Sequence, residues 1–226
     1  MIIEPRFNGP AGSGNGGYTA GLVAAALGAE HTGAVVTLRV PPPLATPLQV
    51  TRTDAGISVH AGEQLVAEAA PAALSDEPVL PVPYEDAVAA STGYAGLVDH
   101  PFPTCYVCGP QRAEGDGLRI FPGPLPDGRV AAPWTAPADV SSVTAWAALD
   151  CPGGWSIIAP GRPYVLGRMT ARVQAVPAPG DRCVVLGEVA QAEGRKAQVR
   201  SALFGADGAL LAQASSTWIA IEQPAG

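Results

Sequence analysis

The chain has 226 residues, 47% of them hydrophobic and only 15% charged, with a formal net charge of −7. That composition supports one large core or two smaller ones and excludes a disordered chain. The negative balance, with no basic cluster, argues against nucleic acid as a partner.

No apolar run approaches the ~20 residues of a membrane span. The opening MIIEPRFNGP lacks the basic and apolar regions of a secretory leader. No membrane association and a cytoplasmic location are therefore expected. Four cysteines in so long and apolar a chain do not suggest a disulfide framework.

A short extended segment, residues 2–7, leads into the glycine-rich loop NGPAGSGN. The run GGYTAGLVAAALG then predicts a helix over 16–27 closed by Gly28, with Tyr18, Leu22, Ala25 and Ala26 as its inner stripe. Its Ala and Gly content would let another backbone approach closely. Strand-like runs follow at 34–40, 48–53, 57–61 and 64–70, separated by the turn chemistry of Asp54-Ala55-Gly56 and Gly62-Glu63. A proline-rich stretch (Pro71, Pro78, Pro81, Pro83, Pro101, Pro103) breaks the pattern and reads as a linker with little regular structure. Structureless loops beyond ~12–15 residues are uncommon inside a compact domain, so a crossover between two equivalent units explains it better.

The second half repeats the order. A hairpin of 118–121 with 129–134 surrounds PLPDGR, a helix follows, and strands are predicted near 166–176, 182–190, 196–204 and 210–221, with Asp207-Gly208 as a hairpin turn. Residues 36–40 (VTLRV) align with 169–173 (MTARV), and 64–69 (QLVAEA) align with 210–215 (LLAQAS). The expected fold is α+β, built as two helix-wrapped antiparallel sheets joined into one pseudo-dimer. Its expected parts are an N-terminal unit at 1–74, a crossover linker at 75–104 and a C-terminal unit at 105–226.

The helix of the second half lies in ADVSSVTAWAALDCPGGWS. Asp139 or Ser141 can cap its start, and Pro152, Gly153 and Gly154 are expected to end it. Val143, Trp146 and Asp150 share one face, which puts a carboxylate on the stripe toward the core. A buried carboxylate needs partners, either as a structural hydrogen-bonding group or as a general acid or base.

These motifs resemble those of the hot-dog-fold acyl-CoA thioesterases in their double-hot-dog form. NGGYTAGLVAAAL is similar to the GGxxxGxALxAA helix of acyl-CoA thioesterase II proteins. The second half resembles the phenylacetate-pathway type, with CYVCGPQRAEGDGLRIF against CFVCGxxNPxGLxLxF and SSVTAWAALDC against HGGxxxxLLDE. The resemblance implies a site between two units, with a helix N-terminus from one facing a carboxylate of the other. It places the carboxylate on Asp150 and the HGG on Asn15-Gly16-Gly17, which form one composite catalytic site of Asp150 and Asn15. The matching Ser141 and Ala24 would be a dead second site. Asp150 would serve as general base or as nucleophile, and Gly16 and Gly17 would bind the developing oxyanion. Tyr18, Trp146 and Trp155 would line an acyl tunnel, and Ser216 falls where the thioesterase II proteins carry a glutamine on the last strand.

The implied function is hydrolysis of acyl-CoA or a similar thioester, with a homodimer as a possible assembly. The alternative is a non-catalytic acyl- or aromatic-ligand-binding hot-dog protein, favoured by the loss of the motif histidine in both halves. A hydratase ranks third, because its helix Asp-His pairing is not visible. No GxSxG elbow occurs, and GSGNGG lacks the Lys-Ser/Thr ending of a phosphate loop. Cys105 and Cys108 form a CxxC, which invites a zinc reading, but a second ligand pair is missing: Cys151 and Cys183 stand isolated in the sequence and His100 is the only nearby histidine. The cysteines are expected to pack beneath the second unit's first strand, with no metal and no cofactor.

Overall fold

The computed structural model describes residues 1–74, 79–159 and 161–222. The expected linker's first four residues, including Pro78, lie outside that range.

Helix α1 (Gly16–Leu27) starts and stops as its local chemistry dictates. The Asn15 side chain accepts the Tyr18 N–H, and Gly28 at φ 82° returns its N–H to the Ala24 and Ala25 carbonyls. Its buried face differs from the expected stripe: Thr19, Ala20, Val23 and Ala24 are buried, while Tyr18, Leu22, Ala25 and Ala26 are only half-buried. The helix is packed both on the sheet and on a second helix, so hydropathy alone does not mark one inner side.

Strands β1 (Ala34–Leu38), β2 (Gln49–Thr53), β3 (Gly56–Ala61) and β4 (Gln64–Pro71) form the first half of the sheet. The second half holds β5 (Gly123–Pro124), β6 (Val130–Thr135), β7 (Tyr164–Val173), β8 (Arg182–Glu193), β9 (Lys196–Gly205) and β10 (Leu210–Ala220). The ten strands make one antiparallel sheet in the order β2-β3-β4-β1-β7-β10-β9-β8-β6-β5. The halves meet at β1 and β7, whose pairing satisfies an edge that either half would otherwise expose. Val36 and Met169, aligned above by sequence, face each other directly across that seam. The expected strand at 118–121 is absent as a strand, and the hairpin instead pairs Gly123-Pro124 with Val130-Ala131.

Helix α3 (Ser142–Trp155) is the central element, with every residue from 144 to 155 buried. Ser141 caps it by accepting the Thr144 N–H at 3.3 Å. The expected stop at Pro152-Gly153-Gly154 does not occur, and the helix runs through all three. Packing overrides propensity here. A Cβ on Gly154 would fall 2.5 Å from Trp218 Cη2, and one on Gly187 of β8 would fall 2.1 Å from the Pro152 carbonyl oxygen. The glycines thus let the helix end lie flat on β8 and β10, which offsets the hydrogen bond Pro152 cannot donate.

The linker is not structureless. It carries helix α2 (Tyr84–Ser91), with Glu85 and Asp86 in its first turn and Ala87 and Ala90 buried. This helix forms a second small core with Val184, Leu186, Ala202 and Phe204, while their neighbours Cys183, Val185 and Leu203 point into the main core. The sheet is covered on both faces there, which is why residues 183–187 are continuously buried. No helix among the described residues is long and apolar enough to cross a membrane.

Candidate active site

Helices α1 and α3 cross in opposite directions at two glycines. A Cβ on Gly17 would meet Asp150 Cβ at 2.4 Å and the Trp146 carbonyl at 2.9 Å, and one on Gly21 would meet Trp146 Cβ at 2.8 Å. Because both positions lack a side chain, the first turn of α1 comes to rest on Asp150. Asp150 Oδ2 accepts the Gly17 N–H at 2.9 Å and the Asn15 Nδ2–H at 3.1 Å. Asn15 is fixed in turn, since its Oδ1 accepts the Tyr18 N–H at 2.8 Å.

Asp150 is 2% exposed, and its other oxygen, Oδ1, is buried with no hydrogen-bond partner among the described residues. Burial pushes its carboxyl up to about 7, against the Gly17 amide and Asn15, which favour the anion; the Cys105 sulfur adds to the upward shift. An acid near neutrality can take and return a proton at working pH.

A cavity of about 480 Å³ opens beside these groups and is bordered by Asn15, Gly16 and Asp150. Leu38, Val40, Trp155, Leu166 and Trp218 make its apolar wall. A space of this size and lining suits an apolar acyl or aryl group with a few polar contacts at one end. The Gly16 N–H, in the first turn of α1, has no hydrogen-bond partner among the described residues. It carries the partial positive charge of a helix N-terminus at the cavity edge.

The structure brings Asn15, Gly16, Gly17 and Asp150 together, and Trp155 onto the cavity wall. Three other expected residues stand elsewhere. Tyr18 stacks on Phe7 with centroids 3.9 Å apart and does not border the cavity. Trp146 is fully buried at the helix crossing, its Nε1–H directed to the Glu30 carbonyl. Ser216 is buried on β10, its hydroxyl has no hydrogen-bond partner among the described residues, and it does not border the cavity. At the opposite pair, Ser141 is exposed and its hydroxyl caps α3, while Ala24 offers no polar group.

Sequence reasoning singled out Cys105 and Cys108 but missed the third thiol that joins them. Cys151 is not isolated: its sulfur lies 3.8 Å from Cys105 Sγ, and with Cys108 the three sulfurs lie within 4.8 Å of one another. All three border the cavity, whereas Cys183 lies apart. The neighbouring Cys108 and Cys151 thiols hold the Cys105 thiol well below its usual range, and burial pushes Cys108 and Cys151 up. The signal was available, because Cys151 directly follows Asp150. The loop carrying Cys105 is tied to the chain start by Asn8, whose Nδ2 donates to Thr104 Oγ1 at 3.1 Å and whose Oδ1 accepts from Arg112.

No family model and no curated protein matches this chain. Solved structures do. A tesB protein of Mycobacterium avium subsp. paratuberculosis superposes with a TM-score of 0.61 at 13% identity, over 94% of this chain and 89% of that one. A proposed thioesterase II of Thermobifida fusca gives 0.60 at 14%, over 98% and 91%. A hot-dog-fold protein of unknown function from Alicyclobacillus acidocaldarius gives 0.53 at 12%, over 97% and 91%. At such identities the likeness defines the fold: the chain is a double hot-dog protein, with two α+β halves in one continuous sheet.

Proposed function

We propose that the protein hydrolyses acyl thioesters, of the acyl-CoA class, at the cavity between its two halves. The observation that carries this reading is the Asp150 carboxylate. One of its oxygens is held by the N-terminus of a helix from the other half, the other is buried with no hydrogen-bond partner among the described residues, and the residue borders an apolar cavity.

In the proposed reaction, the acyl group occupies the apolar wall with its carbonyl oxygen toward the Gly16 N–H. Asp150 takes a proton from a water, whose oxygen bonds to the carbonyl carbon. The oxyanion that forms is stabilised by the Gly16 amide and the α1 N-terminus. The C–S bond then breaks, and the proton held by Asp150 passes to the thiolate, leaving acid and thiol. The value near 7 favours the general base over the nucleophile, since a group that must accept and return a proton works best near ambient pH.

One observation supports the alternative of a ligand-binding protein without turnover: the Gly17 N–H is already spent on Asp150, so the first turn offers the oxyanion fewer donors. A panel of short-, long-chain and aryl CoA thioesters with thiol detection separates the two. Release of free thiol on at least one ester is expected. Tight binding across the panel without thiol release would contradict the hydrolase reading.

A further inference from the structure

The thiol cluster is not used by the proposed hydrolysis, yet it is built as a ligand set. Cys105 and Cys108 come from one tight turn and Cys151 from α3, so the three sulfurs converge from separate elements. The turn closes by a Gly109 N–H to Cys105 carbonyl bond of 2.9 Å, and a Cβ at Gly109 would fall 2.5 Å from the Cys105 nitrogen. Glycine is therefore required directly after the second cysteine.

Tetrahedral zinc, with Zn–S bonds of about 2.3 Å, holds its sulfurs about 3.8 Å apart. The Cys105 and Cys151 sulfurs are 3.8 Å apart, and Cys108 needs only a small closure to join them. N–H donors surround the sulfurs. Asn15 Nδ2 lies 3.7 Å from Cys105 Sγ. His100 Nδ1 accepts the Phe102 N–H, so in the neutral ring its proton sits on Nε2, 3.4 Å from Cys108 Sγ. Such donors suit thiolates, which accept hydrogen bonds and offer none.

We propose that Cys105, Cys108 and Cys151 form a three-sulfur site for a thiophilic divalent cation, zinc(II), in the cavity wall. Each thiol gives up its proton to solvent as the metal binds. His100 acts as a hydrogen-bond donor to Cys108 and is not counted among the ligands. The three cysteines border the cavity, so the fourth position is open to a small ligand from it. The metal would pin the Cys105–Cys108 turn to α3 beside Asp150. This inference does not depend on the proposed hydrolysis, because metal content and absorption read it without turnover.

The test uses the full chain purified under reducing conditions, with zinc(II) and cobalt(II) as probes. One equivalent of metal per chain is expected, and the cobalt form should show thiolate-to-cobalt charge transfer with tetrahedral d–d bands that zinc(II) displaces. In the unmutated zinc protein, a mercurial titration should release zinc in step with three thiols. Cys105→Ser and Cys151→Ser should abolish these signals, and Cys183→Ser should leave them unchanged. Substoichiometric zinc on fully reduced protein would overturn the proposal, as would charge-transfer bands that survive in a folded Cys105→Ser or Cys151→Ser variant. Should those variants not fold, the mercurial titration decides: zinc absent, or released without thiol modification, rejects the site.

Discussion

Asp150 takes the Gly17 N–H at 2.9 Å across the α1–α3 crossing, joining residues 133 positions apart in the chain. The bond exists because Gly17 has no side chain. It ties the buried carboxylate of one half to the positive end of a helix from the other. The sheet seam between β1 and β7 holds the two halves in that relation.

Gly17→Ala follows directly. Its Cβ would sit 2.4 Å from Asp150 Cβ, with the Trp146 carbonyl behind it, so the helices must separate. Overpacking of this kind costs about 1–3 kcal/mol. A lower melting temperature together with a fall in kcat is expected from thermal unfolding and thiol-release assays. A variant with unchanged stability and kcat would show that the crossing is not as tight as described.

Asn15 and Ser141 occupy matching helix starts but different surroundings. Asn15→Ala removes a donor to Asp150 and the α1 cap together. The loss should lower kcat roughly 10–1000-fold. Ser141→Ala removes only a cap, costing about 0.5–2 kcal/mol of stability, and should leave kcat and KM near those of the parent. Equal kinetic damage from both would place the working site wrongly.

Asp150 also makes stability depend on pH. Its carboxyl is raised from 3.8 to about 7 in the folded chain, first by burial. The folded state therefore holds a proton that the unfolded state has lost. Its contribution is fully present below the unfolded value and disappears as pH rises through the folded one. An amide in its place cannot titrate, so the stability of Asp150→Asn relative to the parent should improve between roughly pH 4 and pH 7 and level off above. Denaturant unfolding of reduced, chelator-treated protein measures this. A relative stability independent of pH would mean that Asp150 is not buried in this way.

Much of the frame was legible in local residues. Gly28 closes α1 as expected because capping chemistry is local, and Asp207-Gly208 marks its hairpin for the same reason, whereas the cap that Asn15 supplies was not read from the sequence. The meeting of Asn15 and Asp150 was not legible from either helix alone and came from the resemblance. The misreadings share a cause, which is packing on more than one side. Thr19 and Ala20 are buried where Tyr18 and Leu22 were expected, because α1 lies between sheet and helix. Pro152-Gly153-Gly154 stays helical because close contact with β8 and β10 outweighs propensity. Helix α2 was hidden by the surrounding prolines, although the unbroken apolar run at 183–187 implied a second cover on the sheet. Cys151 was passed over because its thiol partners lie more than forty residues earlier in the chain.

The most direct test of the central reading is turnover by Asp150→Asn on the best thioester of the panel, measured beside binding of the same ligand. An amide cannot accept the water's proton, but it is nearly isosteric and can still accept the Gly17 N–H. Thiol release should therefore fall to background while affinity for the thioester stays close to that of the parent. Hydrolysis retained at the parental rate in a folded Asp150→Asn protein would contradict the account.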